Sequence, residues 1–246
     1  MRRKANLIAA LAVTASVIVI FANGSHCQEV SPAANENGGM GYSMFGRSVL
    51  DVSDLSAKLE AKGFSGMSDN FFSVGGGGHS IINNRFIIGG EGHTLLGEDN
   101  NGSTYKTSIT AGYGFFDLGY VAYSVKDLRI YPLLGIGGGG INLKIAENIT
   151  SLSFDEVLDN PKRTSELSTG GFLLNFALGV DYLLAFGENE KGRGGLLFGI
   201  RAGYTLAAFK GSWMMDDVEI SGVPEMGITG PYIRFLFGGG GIGKIE

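Results

Sequence analysis

The segment 172–184, FLLNFALGVDYLL, constrains the fold more than any other part of the chain. Its even-numbered residues, from Phe172 to Leu184, are all apolar, whereas its odd-numbered residues include Asn175, Gly179 and Asp181. A period of two is the periodicity of a β-strand. A strand that crosses a bilayer needs about 9–11 residues, and an ordinary globular strand has about 5–6. The segment therefore predicts a transmembrane strand with Asp181 facing inward and its aromatic side chains facing lipid.

Composition excludes several other kinds of protein. Glycine is 42 of the 246 residues, well above the average share of about 7%. Hydrophobic residues make up 44% and charged residues 17%, which excludes a disordered chain, and the glycines lack the three-residue period of collagen. The net charge of −5, without a basic run in the mature chain, gives no electrostatic footprint for nucleic-acid binding. The composition favours a sheet protein with glycine where strands approach closely or bend.

The N-terminus reads as an export signal. Residues 1–24 begin with basic residues, continue with an apolar run and end on the small-residue site Ala22-Asn23-Gly24, so we predict a cleaved signal peptide, with an uncleaved anchor as the alternative. We assign residues 25–38 to a polar linker and residues 39–246 to one barrel domain. Cys27 is the only cysteine, which excludes an intrachain disulfide and leaves lipid modification of Cys27 open.

Alternation continues along the rest of the chain. Strands are predicted at 40–49, 71–82, 85–96, 105–123, 129–145, 172–184, 196–209 and 232–237. Residues 51–62 switch to apolar spacings of three and four, which predicts a short amphipathic helix after the first strand, and a helical turn is expected near 154–158. Asn83-Asn84 predicts a tight hairpin, because both residues tolerate positive φ. Connections 2, 4 and 6 are short and the others are longer, which is the outer-membrane pattern.

On this strand number, alternation and order of loop lengths, residues 39–246 resemble the small eight-stranded outer-membrane barrels of the OmpA and OmpX type. The resemblance implies an all-β fold, an antiparallel up-and-down transmembrane barrel. It also implies a location in the outer membrane, contact with the lipid bilayer and the barrel-assembly machinery, and a monomeric state. The function it implies is a structural or surface-interaction role through the outer loops. We expect no catalytic residue, no cofactor, no metal and no nucleic-acid partner.

Polar residues on the presumed inward faces predict a network inside the barrel. An Arg or Lys facing lipid at mid-bilayer would cost roughly 2–4 kcal/mol, whereas the interior of an eight-stranded barrel is just wide enough for side chains to meet and pair. The predicted network comprises Arg85, Glu91, His93, Lys106, Arg129, Asn175, Asp181, Arg201 and Arg234. A narrow path for a solute or for protons is the alternative use of these residues.

Tyrosines are predicted at strand ends or on outward faces, as the aromatic girdles of a membrane barrel require. They are Tyr105, Tyr113, Tyr123, Tyr131, Tyr182, Tyr204 and Tyr232. In the fourth predicted strand, 105–123, we place Tyr113 and Phe115 outside and Lys106 inside. The alternative is that these are core aromatics of a soluble exported barrel that binds an apolar ligand.

Two motifs could indicate a dinucleotide-binding site or a catalytic site, but the sequence around them favours neither. Gly135, Gly137 and Gly140 satisfy G-x-G-x-x-G, but the branched residues that follow predict a strand where a dinucleotide site needs a helix. His79 and His93, with Ser73 or Ser80, are the candidates for a lipid-modifying enzyme, yet they flank an inner turn and have no acidic orienting residue. The three histidines of the chain form no metal-binding pair at helical spacing.

Overall fold

The structure is a computed structural model that describes residues 36–102, 104–149, 151, 153–159, 164–189 and 192–244. The predicted signal peptide, Cys27 and most of the predicted linker lie outside these residues. Within them, eight long strands form the barrel: β1 (Glu36–Val49), β2 (Asn70–Ile82), β3 (Phe86–Leu96), β4 (Tyr105–Tyr120), β5 (Leu128–Glu147), β6 (Thr164–Asn189), β7 (Gly192–Lys210) and β8 (Gly230–Lys244). Two helices are described, α1 (Ser53–Glu60) and α2 (Phe154–Asp159). Short ladders involve Asn100–Asn101, Tyr123–Val125, Met214–Met215 and Val218–Glu219.

The eight strands form a closed barrel. Each long strand pairs antiparallel with the next one along the chain, and β8 returns to pair with β1, so that Phe45 lies opposite Phe235. The predicted fold class is therefore confirmed, including the helix after the first strand. Short connections join β2 to β3, β4 to β5 and β6 to β7 at what we call the inner end. The four longer connections (50–69, 97–104, 148–163 and 211–229) lie at the opposite, outer end.

Local sequence accounts for the boundaries of these elements. Asn83 and Asn84 both adopt positive φ, 52° and 54°, which is the backbone that a tight hairpin requires. β1 begins at Glu36, inside the predicted linker, and β6 runs for 26 residues, longer than the 9–11 that a bilayer crossing needs. The glycines 135–140 lie inside β5, with no helix after them, as expected. Neither described helix is long and apolar enough to cross a bilayer.

The outward face of the barrel is apolar around its circumference. A soluble monomer rarely exposes a contiguous apolar patch of more than a few hundred Å², whereas a lipid-facing barrel presents such a band by design. Outward side chains with more than a third of their area exposed include Phe45, Phe72, Val74, Ile88, Phe116, Leu118, Leu134, Ile136, Phe176, Tyr182, Phe198, Ile200, Ile233, Phe235 and Phe237. This is the surface of a barrel that crosses a lipid bilayer.

The interior is apolar at both ends and polar between them. What we call the outer plug consists of Leu50, Val52, Leu55, Leu59, Phe71, Leu95, Ile109, Ile141, Leu143, Leu173, Trp213, Met226 and Ile228. The inner plug consists of Met40, Met44, Ile81, Ile87, Val121, Leu133, Leu183, Leu197, Leu236 and Ile242. Helix α1 contributes Leu55 and Leu59 to the outer plug, so the amphipathic helix lies across the outer mouth of the barrel.

Glycines that face inward make room for large side chains on the neighbouring strand. A methyl group at Gly203 would lie 2.7 Å from the hydroxyl of Tyr232, and one at Gly179 would overlap the ring of Tyr131. A methyl group at Gly135 would come within 2.7 Å of a carboxylate oxygen of Asp117. Real Cβ contacts are not this short, so an inward glycine beside each large residue is a packing requirement of the narrow lumen.

Glycines that face outward are less uniformly constrained. A methyl group at Gly39 or Gly41 would meet no atom within 4 Å, whereas one at Gly76 or Gly140 would lie 2.9 Å from a carbonyl oxygen of the neighbouring strand. Outward glycines adjoin one another across strands, for example Gly112 with Gly140. Beside them lies an open depression of about 300 Å³ on the exterior, lined in part by Thr110 and Gly112. The high glycine content thus has two separate structural settings.

The predicted orientation of β4 is wrong. Tyr113 and Phe115 face the lumen and are buried, and Phe116 and Leu118 face lipid with about half of their areas exposed. The prediction assumed that bulky residues face lipid. In this barrel, bulky residues also fit inside wherever an adjacent strand presents a glycine, and Tyr113 packs beside Gly139 of β5.

Candidate functional site

The middle of the lumen holds a layer of buried polar side chains between the two plugs. Seven of the nine residues predicted for an interior network lie buried on inward faces: Glu91, His93, Arg129, Asn175, Asp181, Arg201 and Arg234. The period-two alternation of β3, β5, β6, β7 and β8 brings them to the same side of the sheet. We refer to them, with the groups they bond, as the lumen network.

Glu91 is the hub of the lumen network. Its two carboxylate oxygens accept hydrogen bonds from two guanidinium groups, one from Arg201 and one at 3.3 Å from Arg234. The ring of His93 lies against the same carboxylate, with Nε2 3.3 Å from Oε1, and 3.1 Å from Nη1 of Arg234. All four side chains are almost completely buried. A carboxylate held by two guanidiniums is a strong charge-assisted arrangement that only a buried and fixed geometry maintains.

Arg201 connects Glu91 to a second carboxylate. Its Nη2 donates to the hydroxyl of Tyr131 at 3.1 Å, and that hydroxyl donates to Oδ2 of Asp181 at 2.6 Å. The same Nη2 donates to the hydroxyl of Tyr42 at 3.3 Å, and Nδ1 of His79 lies 3.2 Å from that oxygen. Each tyrosine hydroxyl therefore bridges two groups on different strands.

Arg234 extends the network in the other direction. It donates to the hydroxyl of Tyr113, and its guanidinium stacks 3.6 Å from the centre of the Tyr232 ring. The Tyr232 hydroxyl donates to Oδ1 of Asn175 at 2.9 Å. Each of the eight strands, β1 to β8, contributes at least one side chain to the lumen network. The lumen network thus ties every strand of the barrel to the others across the lumen.

Two buried charged residues are less completely bonded. Arg129 lies opposite Asp181 on the adjacent strand, and its Nε and Nη1 have no hydrogen-bond partner among the described residues. Asp117 of β4 is also buried, and neither of its carboxylate oxygens has a hydrogen-bond partner in that part of the chain. Both of its cross-strand neighbours, Gly89 and Gly135, are glycines. Asp117 therefore lies in the lumen without belonging to the bonded network.

Two of the predicted network residues lie elsewhere. Arg85 is exposed in the turn between β2 and β3, one residue before β3 begins. Lys106 faces outward at the outer rim, where it pairs with Asp99 at 2.7 Å, and about half of each side chain is exposed. For Arg85 the error is its position, in a turn and not in a strand; for Lys106 it is the face of β4. Both residues lie near strand ends, where a charged side chain reaches water without entering the lumen.

The sequence interpretation missed several inward residues. Tyr113, Tyr131 and Tyr232 were assigned to girdles or strand ends but lie buried in the lumen network. Tyr42, His79 and Asp117 were not assigned to the network, and all three are buried inside. The sequence did carry a signal for Tyr131 and Tyr232. Each stands two residues from an arginine predicted to face inward, Arg129 and Arg234, and residues two apart in a strand share a face. Tyr123 and Tyr182 do have exposed outward rings. Tyr105 is also exposed, but it has the inward parity of Tyr113 and lies at the outer end of β4, with its ring 5.3 Å from that of Phe64.

The two described histidines lie in the lumen network, away from the membrane surface. His79 lies 3.8 Å from a carboxylate oxygen of Asp181, and His93 lies beside Glu91, both deep in the lumen. Ser73 is buried, whereas Ser80 faces outward. The plugs separate these groups from solvent on both sides, so a lipid or soluble substrate has no access to them. Within the described residues, no group of three His, Cys, Asp or Glu side chains is arranged to hold a metal ion.

The outer plug joins the loops to the barrel wall. Met67 N donates to Oγ of Ser56 at 2.8 Å, and Lys58 of α1 donates to the carbonyl of Gly222 in the last outer loop. Nε1 of Trp213 donates to the carbonyl of Pro224 at 3.0 Å. These bonds hold α1 and segment 211–229 over the mouth, with their apolar side chains facing inward.

The surface of the outer end differs from that of the inner end in charge. The four outer connections contain thirteen acidic and four basic residues, a formal net charge of −9, whereas the three inner connections (83–85, 121–127 and 190–191) sum to +1. At the inner rim, Arg193 pairs with Asp127 at 2.9 Å and with Glu36 at 3.5 Å. The outer loops are therefore strongly negative, whereas the inner turns are nearly neutral.

Comparison with known proteins gives weak similarities only. No protein-family model matches the sequence, and no curated protein matches it. Among solved structures, the chain is similar to Ail, the attachment invasion locus protein of Yersinia pestis, with 14% identity, a TM-score of 0.39 and coverage of 85% of this chain and 99% of that one. It is similar to the outer membrane protein OprG from Pseudomonas aeruginosa, with 11% identity, a TM-score of 0.36 and coverage of 86% and 97%. It is also similar to Neisserial surface protein A, with 11% identity, a TM-score of 0.29 and coverage of 85% and 97%. These similarities are too weak to carry a functional argument, which rests on the barrel's own residues.

Proposed function

We propose that this protein is a monomeric, non-catalytic outer-membrane barrel whose lumen network is structural and whose outer loops are the interacting surface. The observation that carries the proposal is the sealed interior. Apolar side chains close both ends, and most polar side chains of the layer between them bond to one another around Glu91, Arg201 and Arg234. A barrel whose lumen is filled in this way has its outer loops left as the surface through which it can act on other molecules.

The same features argue against the alternatives. A lumen path for solutes needs a continuous polar route, and the outer and inner plugs interrupt it. A soluble barrel that binds an apolar ligand needs an apolar cavity inside and a polar exterior, whereas this barrel has a charged centre and an apolar exterior. As a transmembrane barrel exported through a signal peptide, the chain would depend on the barrel-assembly machinery for insertion.

Conductance tests the sealed lumen. The full barrel, folded into a planar lipid bilayer, is expected to give no discrete current steps across the range of voltages that the bilayer tolerates. A comparison variant opens the outer mouth only. Leu55→Asp/Leu59→Asp places two carboxylates of α1 in the outer plug and should still give no discrete steps, because the inner plug remains closed. Discrete steps from the wild-type protein would reassign it as a channel.

A second measurement tests the interacting surface. Cells that display the wild-type barrel are compared with cells whose barrel carries a short turn in place of residues 148–163. Both proteins should be equally abundant in the outer membrane and should shift in electrophoretic mobility on heating, since the barrel itself is unchanged. Loss of binding to surfaces or other proteins in the loop-replaced cells alone would support the proposal. Equal binding by both would place the interaction outside this loop.

A further inference from the structure

Helix α2, in the loop between β5 and β6, is specified by its own sequence. Ser153 and Glu156 form a capping box, in which Glu156 N donates to the Ser153 hydroxyl at 3.2 Å and Ser153 N donates to the Glu156 carboxylate at 2.8 Å. This reciprocal arrangement satisfies backbone donors at a helix start. The helical turn expected near 154–158 is confirmed, and it is held by local hydrogen bonds.

The apolar face of α2 is exposed. Phe154, Val157 and Leu158 recur at spacings of three and four, so they share one side of the helix. Phe154 is 75% exposed and Leu158 is 62% exposed, and no residue of the helix is buried. Helix α1, which is also short and amphipathic, buries Leu55 and Leu59 in the outer plug. The two outer-loop helices therefore differ in one respect: α1 has a partner surface within the barrel, and α2 has none among the described residues.

Acidic side chains border this exposed face. Asp155 and Asp159 lie one helical turn apart on the side of α2 next to the apolar side chains, and both are exposed. The four outer connections together carry a net charge of −9, of which the connection that contains α2 contributes −1 because Lys162 and Arg163 follow the helix in sequence. A second copy of the chain would bring the same acidic loops against this helix, and an anionic lipid surface would bring negative charge as well. Like charges repel in both cases, so electrostatics favours an occupant that is cationic.

We propose that the apolar face of α2 is a docking site for a cationic amphipathic segment of a partner protein. Such a segment would cover Phe154, Val157 and Leu158 with its apolar face, as amphipathic helices do in known recognition modes, and would place lysines or arginines near Asp155 and Asp159. This inference rests on the proposed surface-interaction function and names the chemistry of the partner for it.

The test uses the full barrel in nanodiscs of zwitterionic lipid and three fluorescent peptides of equal length. One is an amphipathic helix of leucine and lysine, the second replaces every lysine by glutamine, and the third replaces every leucine by serine. Fluorescence anisotropy measures binding. The leucine–lysine peptide should bind at least about tenfold more tightly than either relative, because it alone supplies both features. Its affinity should fall between 0.1 M and 1 M salt, as the Debye length shortens from about 10 Å to about 3 Å.

Two variants locate the site. Phe154→Ser/Leu158→Ser should weaken binding of the leucine–lysine peptide about tenfold or more, since it removes the two most exposed apolar side chains of the face. Val218→Ser, which removes an equally exposed apolar residue from a different outer loop, should leave it unchanged. Both variants should keep the heat-dependent mobility shift of the folded barrel, because none of the three replaced side chains packs in the interior.

Several outcomes would overturn this inference. Equal loss of binding in both variants would indicate general adhesiveness of the loops, and equal uptake by empty nanodiscs would make the bilayer the occupant. A dimer that dissociates in the Phe154→Ser/Leu158→Ser variant would make the occupant a second copy. If the peptide fails to bind but the loop-replaced cells still lose adhesion, the partner class is wrong and the proposed function stands. Discrete conductance of the wild-type barrel would overturn the proposed function whatever the peptides do.

Discussion

The inward and outward faces of the same strands use glycine in opposite ways. Inside the barrel, glycine leaves room for a large side chain on the neighbouring strand. Gly179 makes room for the Tyr131 ring, and Gly203 makes room for the Tyr232 hydroxyl. Outside, Gly39 and Gly41 border open space. Since both faces belong to the same strands, glycine content alone does not distinguish a packed position from an open one. The atoms of the neighbouring strand do: the Tyr131 ring at Gly179, or the backbone carbonyl that a methyl group at outward Gly76 would approach to 2.9 Å.

The charged residues follow the same division. In the lumen, Glu91 is bonded by two arginines and a histidine, and the charges of the network are held at fixed positions. On the outer loops, acidic residues greatly outnumber basic ones. A buried charge is costly unless it is paired, whereas exposed charges can accumulate with one sign because water solvates them. This difference is why we assign structure to the lumen and interaction to the loops.

The largest expected effect comes from removing the hub carboxylate. Glu91→Gln keeps the shape of the side chain but leaves Arg201 and Arg234 without their shared counter-charge. Breaking a buried ion pair on one side costs roughly 3–5 kcal/mol, so the free energy of unfolding should fall by about 3 kcal/mol or more. It can be measured by urea titration of the barrel in lipid vesicles.

The matched control is Asp99→Asn, which makes the same chemical change at the exposed pair with Lys106. A surface ion pair is worth about 0–1 kcal/mol, so this variant should unfold at nearly the wild-type urea concentration. If Glu91→Gln behaved like Asp99→Asn, the lumen network would not stabilise the barrel.

The next largest effect is expected at an inward glycine. In Gly179→Ala, the new methyl group overlaps the buried ring of Tyr131, which is held by hydrogen bonds to Arg201 and Asp181. Overpacking of this kind costs about 1–3 kcal/mol. The same urea titration should show the loss. Tyr131→Leu removes both the ring and its hydrogen bonds and will itself lower the free energy of unfolding. Adding Gly179→Ala to Tyr131→Leu should lower it little further, because the ring that the methyl group would overlap is gone.

Much of the fold could be predicted from the sequence, because period-two alternation is a local property. Segment 172–184 alone establishes strand type and orientation, and it places Asn175 and Asp181 inside. The orientation of β4 could not be obtained in this way, since both of its faces mix glycine with aromatic residues. What decides it is Gly139 on the adjacent strand beside Tyr113, a relation between residues that are distant in sequence.

The site was predictable to a similar extent and for the same reason. Arg129, Arg201 and Arg234 lie at the centres of long alternating strands, where a charge must face inward. Arg85 stands in a turn and Lys106 near a strand end, where the face matters less because water is within reach. Pattern alone also does not show which buried charges are bonded, so Glu91 and Asp117 could not be distinguished before the structure was known.

A smaller effect is expected at Asp117. Neither of its carboxylate oxygens has a hydrogen-bond partner among the described residues, so Asp117→Asn breaks no observed hydrogen bond. The free energy of unfolding should change by no more than about 1 kcal/mol, the size of a single net hydrogen bond. Measured beside Glu91→Gln under the same conditions, this variant compares two buried carboxylates that differ mainly in their partners. A loss as large as that of Glu91→Gln would mean that Asp117 has an essential counter-charge in the lumen.

The smallest effect is expected at an outward glycine, and it completes the comparison with Gly179→Ala. A methyl group at Gly41 meets no atom within 4 Å, and the residue does not have positive φ. Gly41→Ala should therefore leave the free energy of unfolding unchanged or raise it by up to about 1 kcal/mol, because alanine restricts the unfolded chain. A loss comparable to that of Gly179→Ala would show that the strands need glycine on both faces in order to coil. A neutral result would mean that packing does not require glycine at this open outward position.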